Sequence, residues 1–199
     1  SAAAMMQMRG KLDVLIPRGG AGLIRSIAEN ARVPVIETGV GNCHLYIDEG
    51  ADSEIALAVA VNAKTSRPSV CNAIETLLVN RAEAASFLPR FAEAVKPWSV
   101  EIRGCAETRS ILPEVTEATE EDYYTEYNDY IIAVKIVSDA GEAIAHINKY
   151  GTAHSDGIIT RNLGRAERFK KEVDSAAVYV NASTRFTDGA EFGMGAEIG

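Results

Sequence analysis

Short apolar runs alternate with stretches of helical periodicity along most of the chain, and that rhythm predicts its elements. Leu12 to Ile16 is an apolar run ended by Pro17. It leads through Arg18-Gly19-Gly20-Ala21-Gly22 into a helical pattern from Leu23 to Ala31, which reads as strand, glycine turn and helix. Val33 to Thr38 and Cys43 to Ile47 are further strand candidates. Ser53 is placed to cap a helix carrying Ile55, Leu57, Ala58, Val61 and Ala63. Ile74 to Val79 reads as a strand, Ala82 to Val95 as an amphipathic helix, and Ser99 to Arg103 as a strand followed by a short helix near Glu107 to Leu112. A polar interval precedes a strand at Tyr130 to Val137. Thereafter Ala140 to Asn148 and Gly164 to Val173 read as helical, and Gly157 to Thr160 and Ala176 to Asn181 as extended.

Apolar runs rich in β-branched residues and separated by helices imply an α/β protein with a largely parallel sheet covered on both faces by helices. The 199 residues, 47% hydrophobic and 24% charged, suffice for one substantial core. A formal charge of -8, with no long basic run, disfavours a nucleic-acid partner. No apolar stretch approaches the roughly 20 residues that a membrane-spanning helix needs, so no membrane partner is expected. Three cysteines, odd in number and without zinc-site pairing, are each judged as single thiols in a reducing, cytoplasmic setting. No cluster of His, Cys or Asp has metal-ligand spacing, and no metal is expected.

Among the candidate chemical groups, Cys71 follows the turn signal Ser66-Arg67-Pro68-Ser69 and precedes an apolar strand. A thiol there can sit among backbone amides and beside a guanidinium, which favour thiolate and nucleophilic attack. The competing reading is a small buried hydrophobe. Glu37, between an apolar run and Thr38-Gly39-Val40-Gly41-Asn42, is expected to be partly desolvated and so suited to general-base work, or else to pair with a nearby amide or arginine. Gly19 and Gly20 could expose the amides of a helix N-terminus to a phosphate, although such turns are also common without a ligand. His154 beside a turn is either an anion donor or structural. Cys43 and Cys105 read as buried or incidental thiols.

Glu37 precedes Cys71 by 34 positions, an interval that resembles the glutamate-to-cysteine spacing of the aldehyde dehydrogenase superfamily. Longer motifs sharpen the resemblance: Ile16-Pro17-Arg18-Gly19-Gly20, Val35-Ile36-Glu37-Thr38-Gly39-Val40-Gly41-Asn42-Cys43-His44, Asn62-Ala63-Lys64-Thr65, Arg67-Pro68-Ser69-Val70-Cys71-Asn72-Ala73, Thr125-Glu126-Tyr127 and Val178 to Gly189. Together with Phe192-Gly193 they are similar to the gamma-glutamyl phosphate reductase family, across essentially the whole chain. The resemblance implies an aldehyde-dehydrogenase-like catalytic domain. It also implies NADPH-dependent reduction of L-glutamate 5-phosphate to L-glutamate 5-semialdehyde, a step of proline biosynthesis, through a thioacyl group on Cys71.

In that reading Cys71 is the nucleophile and Glu37 has a less defined catalytic role. Glu126 accepts the hydroxyls of the nicotinamide ribose, while Tyr127-Asn128, standing where Ile-Phe is usual, does not supply nicotinamide stacking. Gly19 and Gly20 belong to the cofactor side. Arg67, Ser183, Thr184 and Arg185 are the candidates for holding the anionic substrate. Each of these residues also has a plain structural reading, Glu126 as one more acid in the acidic interval Glu117 to Asp129. The expected organisation is the terminal strand-turn-helix of a cofactor-binding domain over 1–32, the catalytic α/β domain over 33–186, and the start of a further segment over 187–199. The chain is therefore expected to be part of a longer enzyme that forms a homo-oligomer or dimer, and to turn over poorly alone. An oxidising semialdehyde dehydrogenase, with Glu37 activating water, and a non-catalytic module of the same fold are the competing functions.

Overall fold

A computed structural model describes residues 2–37 and 39–195. The chain divides into two compact units, one reaching Val40 and the other starting at Gly41, whereas the sequence reading placed a boundary between 32 and 33. The first unit holds α1 (Ala2–Met6) and α2 (Ala21–Asn30). Its two expected strands, Leu12 to Ile16 and Val33 to Thr38, are not formed as strands. Among the described residues they meet at one parallel bridge, Leu15 to Val35; Thr38 lies outside the described residues. The physical reason lies in two prolines and poor burial. Pro17 and Pro34 lack the N–H that a ladder needs, and Val14 and Ile36 are 42% and 57% exposed, so neither face gains from pairing.

The second unit is built on β1 (Cys43–Ile47), β2 (Ile74–Asn80), β3 (Glu101–Gly104), β4 (Thr116–Glu117), β5 (Ile131–Val137), β6 (Ser155–Ile159) and β7 (Ala177–Val180). They form one seven-stranded sheet in the order β4-β3-β5-β2-β1-β6-β7, with every pairing parallel. Connecting the strands are α3 (Ser53–Thr65), α4 (Arg81–Val95), α5 (Ala106–Ile111), α6 (Glu120–Tyr124), α7 (Ala140–Tyr150) and α8 (Leu163–Glu172). All residues of β1, β2 and β6 are buried, because helices cover both faces. Leu45, Leu77 and Val79 pack with Ala56, Ala60, Phe87, Leu88 and Phe91 of α3 and α4 on one face. Tyr46 and Leu78 point the other way, to Ala143, Ile144, Ile147 and Phe169 of α7 and α8.

Two local expectations change. Asp52, not Ser53, caps α3: its carboxylate accepts the N–H groups of Glu54 and Ile55 at 3.1 and 3.2 Å, and an ionised acceptor serves the helix terminus better than a hydroxyl. The polar interval before β5 is also structured, containing β4 and α6. Thr119 and Asp122 form a capping box there, with the Thr119 N–H and hydroxyl donating to Asp122 Oδ2 at 2.7 and 2.8 Å. The Thr-x-x-Asp spacing was the available signal.

Candidate active site

Because every strand runs the same way, the segments leading into β1, β2, β5 and β6 all arrive at one edge of the sheet. Cys71 lies at that edge. It is half-buried in the turn between α3 and β2, closed by Ala73 N–H donating to the Val70 carbonyl at 3.0 Å, and it is not disulfide-bonded. Its main chain is held from two sides. Cys43, fully buried at the start of β1, donates its Sγ–H to the Cys71 carbonyl at 3.1 Å. Burial, and then the nearby Asp156 carboxylate, push the Cys43 thiol well above its ordinary pKa, so it stays protonated and able to donate. Gly41 supplies the second side. A Cβ at that position would stand 1.8 Å from the Cys71 carbonyl oxygen, so only glycine permits this approach.

Gly41 also links the nucleophile turn to the segment before β5. Its N–H donates to Glu126 Oε1 at 2.7 Å, which brings Glu126, 85 positions away in sequence, to the residue touching Cys71. Asn42 is buried next to it and donates from Nδ2 to the carbonyls of Tyr123 and Tyr150 at 2.7 and 2.8 Å. The residue after the nucleophile, Asn72, is buried as well, and it anchors the segment that follows β7. Asn72 Nδ2 donates to the Thr187 carbonyl at 2.7 Å, Thr184 Oγ1 donates to the Asn72 carbonyl at 2.7 Å, and the Arg185 guanidinium donates to Asn72 Oδ1. Thr187 continues the network through its hydroxyl to Ser155 at 2.7 Å and Tyr179 at 2.9 Å, and Ser155 meets His154 Nδ1 at 2.9 Å.

These contacts sort the sequence candidates. Cys71 and Glu126 share one neighbourhood through Gly41. Arg185 reaches the same neighbourhood, with its guanidinium spanning Asn72 and Ser66 Oγ, the latter at 3.2 Å. Thr184 does not face a ligand as expected: its hydroxyl is fully buried and its hydrogen is given to the Asn72 carbonyl, so it fastens the loop. Ser183 is buried and its Oγ accepts the Arg185 N–H at 3.3 Å, capping the 3-10 turn Thr184–Phe186. Arg67 is exposed on the turn four residues before Cys71. His154 lies 3.7 Å from the Cys43 sulfur, and Cys105 caps α5 with its sulfur 3.3 Å from Thr108 Oγ1.

Glu37, Gly19 and Gly20 belong to the first unit. Glu37 is exposed, and the run before it is a single bridge, so the desolvation expected of it is not found. Gly20 stands at the N-cap of α2, with no side chain capping the helix's first amides, and Gly19 has φ +153°. Among the described residues no group of three or more His, Cys, Asp or Glu could hold a metal ion, and no helix is long and apolar enough to cross a membrane. Gly41, Asn42, Cys43 and Asn72 carry much of the geometry but were not singled out as site residues, since their types advertise no chemistry and their contacts span up to 115 positions.

The aldehyde dehydrogenase family model matches residues 126–195. Curated gamma-glutamyl phosphate reductases from Carboxydothermus hydrogenoformans and Clostridium perfringens are 62% and 60% identical, over 98% and 100% of this chain and 47% and 48% of theirs. The crystal structure of gamma-glutamyl phosphate reductase from Thermotoga maritima superposes with a TM-score of 0.96 at 55% identity, covering all of this chain and 48% of that one. A parallel sheet flanked by helices and a half-buried cysteine in the turn before a central strand accompany these matches, and in fold and sequence the chain is similar to the aldehyde dehydrogenase superfamily. Within that superfamily it resembles the gamma-glutamyl phosphate reductases from end to end, and it spans about half the length of the curated relatives it matches.

Proposed function

We propose that the protein carrying this chain reduces L-glutamate 5-phosphate to L-glutamate 5-semialdehyde with NADPH. Chemically, the observation that carries the reading is the turn of Cys71, held through Gly41 beside the carboxylate of Glu126. The end-to-end similarity to curated gamma-glutamyl phosphate reductases supplies the substrate class. Cys71 thiolate attacks the acyl carbon, a C–S bond forms and phosphate departs with the electron pair of the broken C–O bond. NADPH, when bound, supplies the hydride that reduces the acyl group. The resulting thiohemiacetal oxyanion on Cys71 collapses to aldehyde and regenerates the thiolate, so no water is needed, and the one proton consumed is taken up by the departing phosphate. Backbone amides of the Cys71 turn are the candidates for holding that oxyanion.

A carboxylate has about four lone-pair sites and Gly41 N–H occupies one on Glu126, which leaves capacity for ribose hydroxyls. Gly19 and Gly20, before the uncapped amides of α2, are the candidates in the first unit for contact with a cofactor phosphate. Arg67 and Arg185 are the cations for the substrate's anionic groups, Arg185 being steered by Asn72 and Ser66, while Ser183 stands beside it. Cytoplasmic location and assembly of the full-length protein as a homo-oligomer or dimer complete the proposal.

The deciding assay runs in reverse. Reduction of NADP⁺ by glutamate 5-semialdehyde should require inorganic phosphate, because phosphate must cleave the thioacyl bond. In the full-length protein carrying this chain, phosphate-independent reduction would indicate a hydrolytic dehydrogenase instead, and no reduction with either would leave a non-catalytic module.

A further inference from the structure

Lys64, in the last turn of α3, and Glu75, the second residue of β2, are fully buried and meet at 2.5 Å. Nothing in the proposed chemistry uses them. Burial lowers the pKa of the Lys64 ammonium and raises that of the Glu75 carboxyl to about 7, in each case against the pull of the partner charge. A buried pair of this kind is poor evidence for stability, since apolar residues of similar volume commonly serve as well or better. Its position points to another use. Lys64 and Glu75 bracket the turn that carries Cys71, one on the helix entering it and one on the strand leaving it.

The second oxygen of Glu75 leaves this turn altogether. Glu75 Oε1 accepts the N–H of Asn128 at 3.1 Å, and Asn128 holds a left-handed φ of +56°, a conformation that asparagine tolerates better than most non-glycine residues. Tyr127, between Asn128 and Glu126, packs its ring 6.0 Å from Lys64 Nζ. The contacts therefore close a circuit: Cys71 to Gly41, Gly41 to Glu126, Glu126 along the chain to Asn128, Asn128 to Glu75, and Glu75 to Lys64 beneath the nucleophile turn.

We infer that Glu75 is a positioning residue, which sets the Cys71 turn at a fixed distance from the segment bearing Glu126 through the Asn128 main chain, with Lys64 as the counter-ion of its carboxylate. The inference deepens the proposed reductase reading and rests on it, because alignment matters where the acyl group on Cys71 must face a hydride donor held by Glu126. A shift of about 1 Å at such a junction is enough to slow a reaction about 100-fold.

Two double variants of the full chain test this. Lys64→Met with Glu75→Gln removes both charges but keeps an amide oxygen for the Asn128 N–H. Lys64→Met with Glu75→Leu removes charges and acceptor together. The Leu variant should lose about 100-fold in kcat and show a larger isotope effect with 4-deuterated NADPH, as hydride transfer becomes limiting. Cys71 should still react with iodoacetamide at the unaltered rate, and the Gln variant should retain kcat within about threefold. Unaltered kcat in the Leu variant, or equal losses in both, would overturn the inference. If the unaltered full-length protein carrying this chain does not oxidise NADPH with glutamate 5-phosphate, the reductase reading alone falls, and amide exchange decides the positioning role. Faster exchange at Asn128 and Gly41 in the Leu variant only supports it, and matching exchange in the two variants refutes it.

Discussion

At the edge where the strands end, Tyr46, Asp48, Asn80 and Thr160 bond largely to one another's side chains, while Asn181 and Asn80 fasten the main chain of Thr160 and Ser138, which closes one strand end onto the next. Asp48 Oδ1 accepts from Tyr46 at 3.1 Å, and Oδ2 accepts from Thr160 at 2.6 Å and faces Arg165 Nε at 2.6 Å. Asn80 donates to Tyr46 and caps α4. At the opposite edge, where the strands begin, the side chains of Cys43, Thr184 and Glu126 reach the main chain at residues 71, 72 and 41. Buried polar atoms there, Asn42 Oδ1 and His44 Nε2, have no hydrogen-bond partner among the described residues. One edge therefore spends its polar groups on closing the fold, and the other on fixing a short stretch of backbone around a thiol. Open α/β sheets commonly bind ligands at the carboxyl ends of their strands, so this division is informative. A polar cluster at the usual edge is not a site when its members already satisfy one another.

Substitutions at the two edges should separate activity from stability. The largest effect is expected for Cys71→Ala, which should reduce turnover by about 10⁴-fold or more while leaving the melting temperature nearly unchanged. Residual turnover near the unaltered rate would remove Cys71 from the chemistry. Asp48→Ala should do the reverse. It leaves Tyr46 and Thr160 without their acceptor and Arg165 with Glu49 as its remaining carboxylate, and should destabilise by about 3–5 kcal/mol in urea unfolding, with turnover per folded molecule preserved. A loss of turnover in the folded fraction would erase the contrast between the edges.

Gly41→Ala lies between these extremes. Its added carbon must displace the Cys71 carbonyl, so we expect about 100-fold slower turnover. The same change should destabilise by about 1–3 kcal/mol, read from thermal unfolding. The smallest effect concerns pH. Burial, chiefly, depresses the His146 pKa from 6.5 to about 2. The unfolded chain then takes up a proton that the folded one refuses between those values, and stability falls as pH drops below about 6.5. The slope is about 1.4 kcal/mol per pH unit for this one group. His146→Phe should flatten the acid limb of stability measured between pH 4 and 6.5, and an unchanged slope would show that His146 does not govern it.

Local sequence determined a good part of this protein. The alternation of apolar runs and helical patterns marks β1, β2, β5 to β7 and the principal helices, because a fully covered parallel sheet needs nearly continuous apolar strands. A turn signal likewise made Cys71 a candidate nucleophile, whereas Glu126 was marked only by the family resemblance and looked locally like one more acid in an acidic interval. Exposed segments were read less well. The runs at Leu12 and Val33 have strand composition, but Pro17 and Pro34 and the lack of a covering surface reduce them to one bridge. The acidic interval looked unstructured although Thr119 and Asp122 cap a helix within it.

Tertiary structure alone decided what surrounds the thiol. That Gly41 must be glycine follows from a carbonyl thirty positions later in the chain. That Thr184 is a fastener, and Arg185 a guanidinium shared between Asn72 and Ser66, follows from a segment returning over more than a hundred positions. The Lys64–Glu75 pair appears in sequence as two ordinary surface charges, and only burial on both sides of the Cys71 turn gives it meaning. Periodicity and residue type are local properties and can be read from the chain. Which backbone a side chain touches depends on strand order, and for a parallel sheet that order is set by long-range packing.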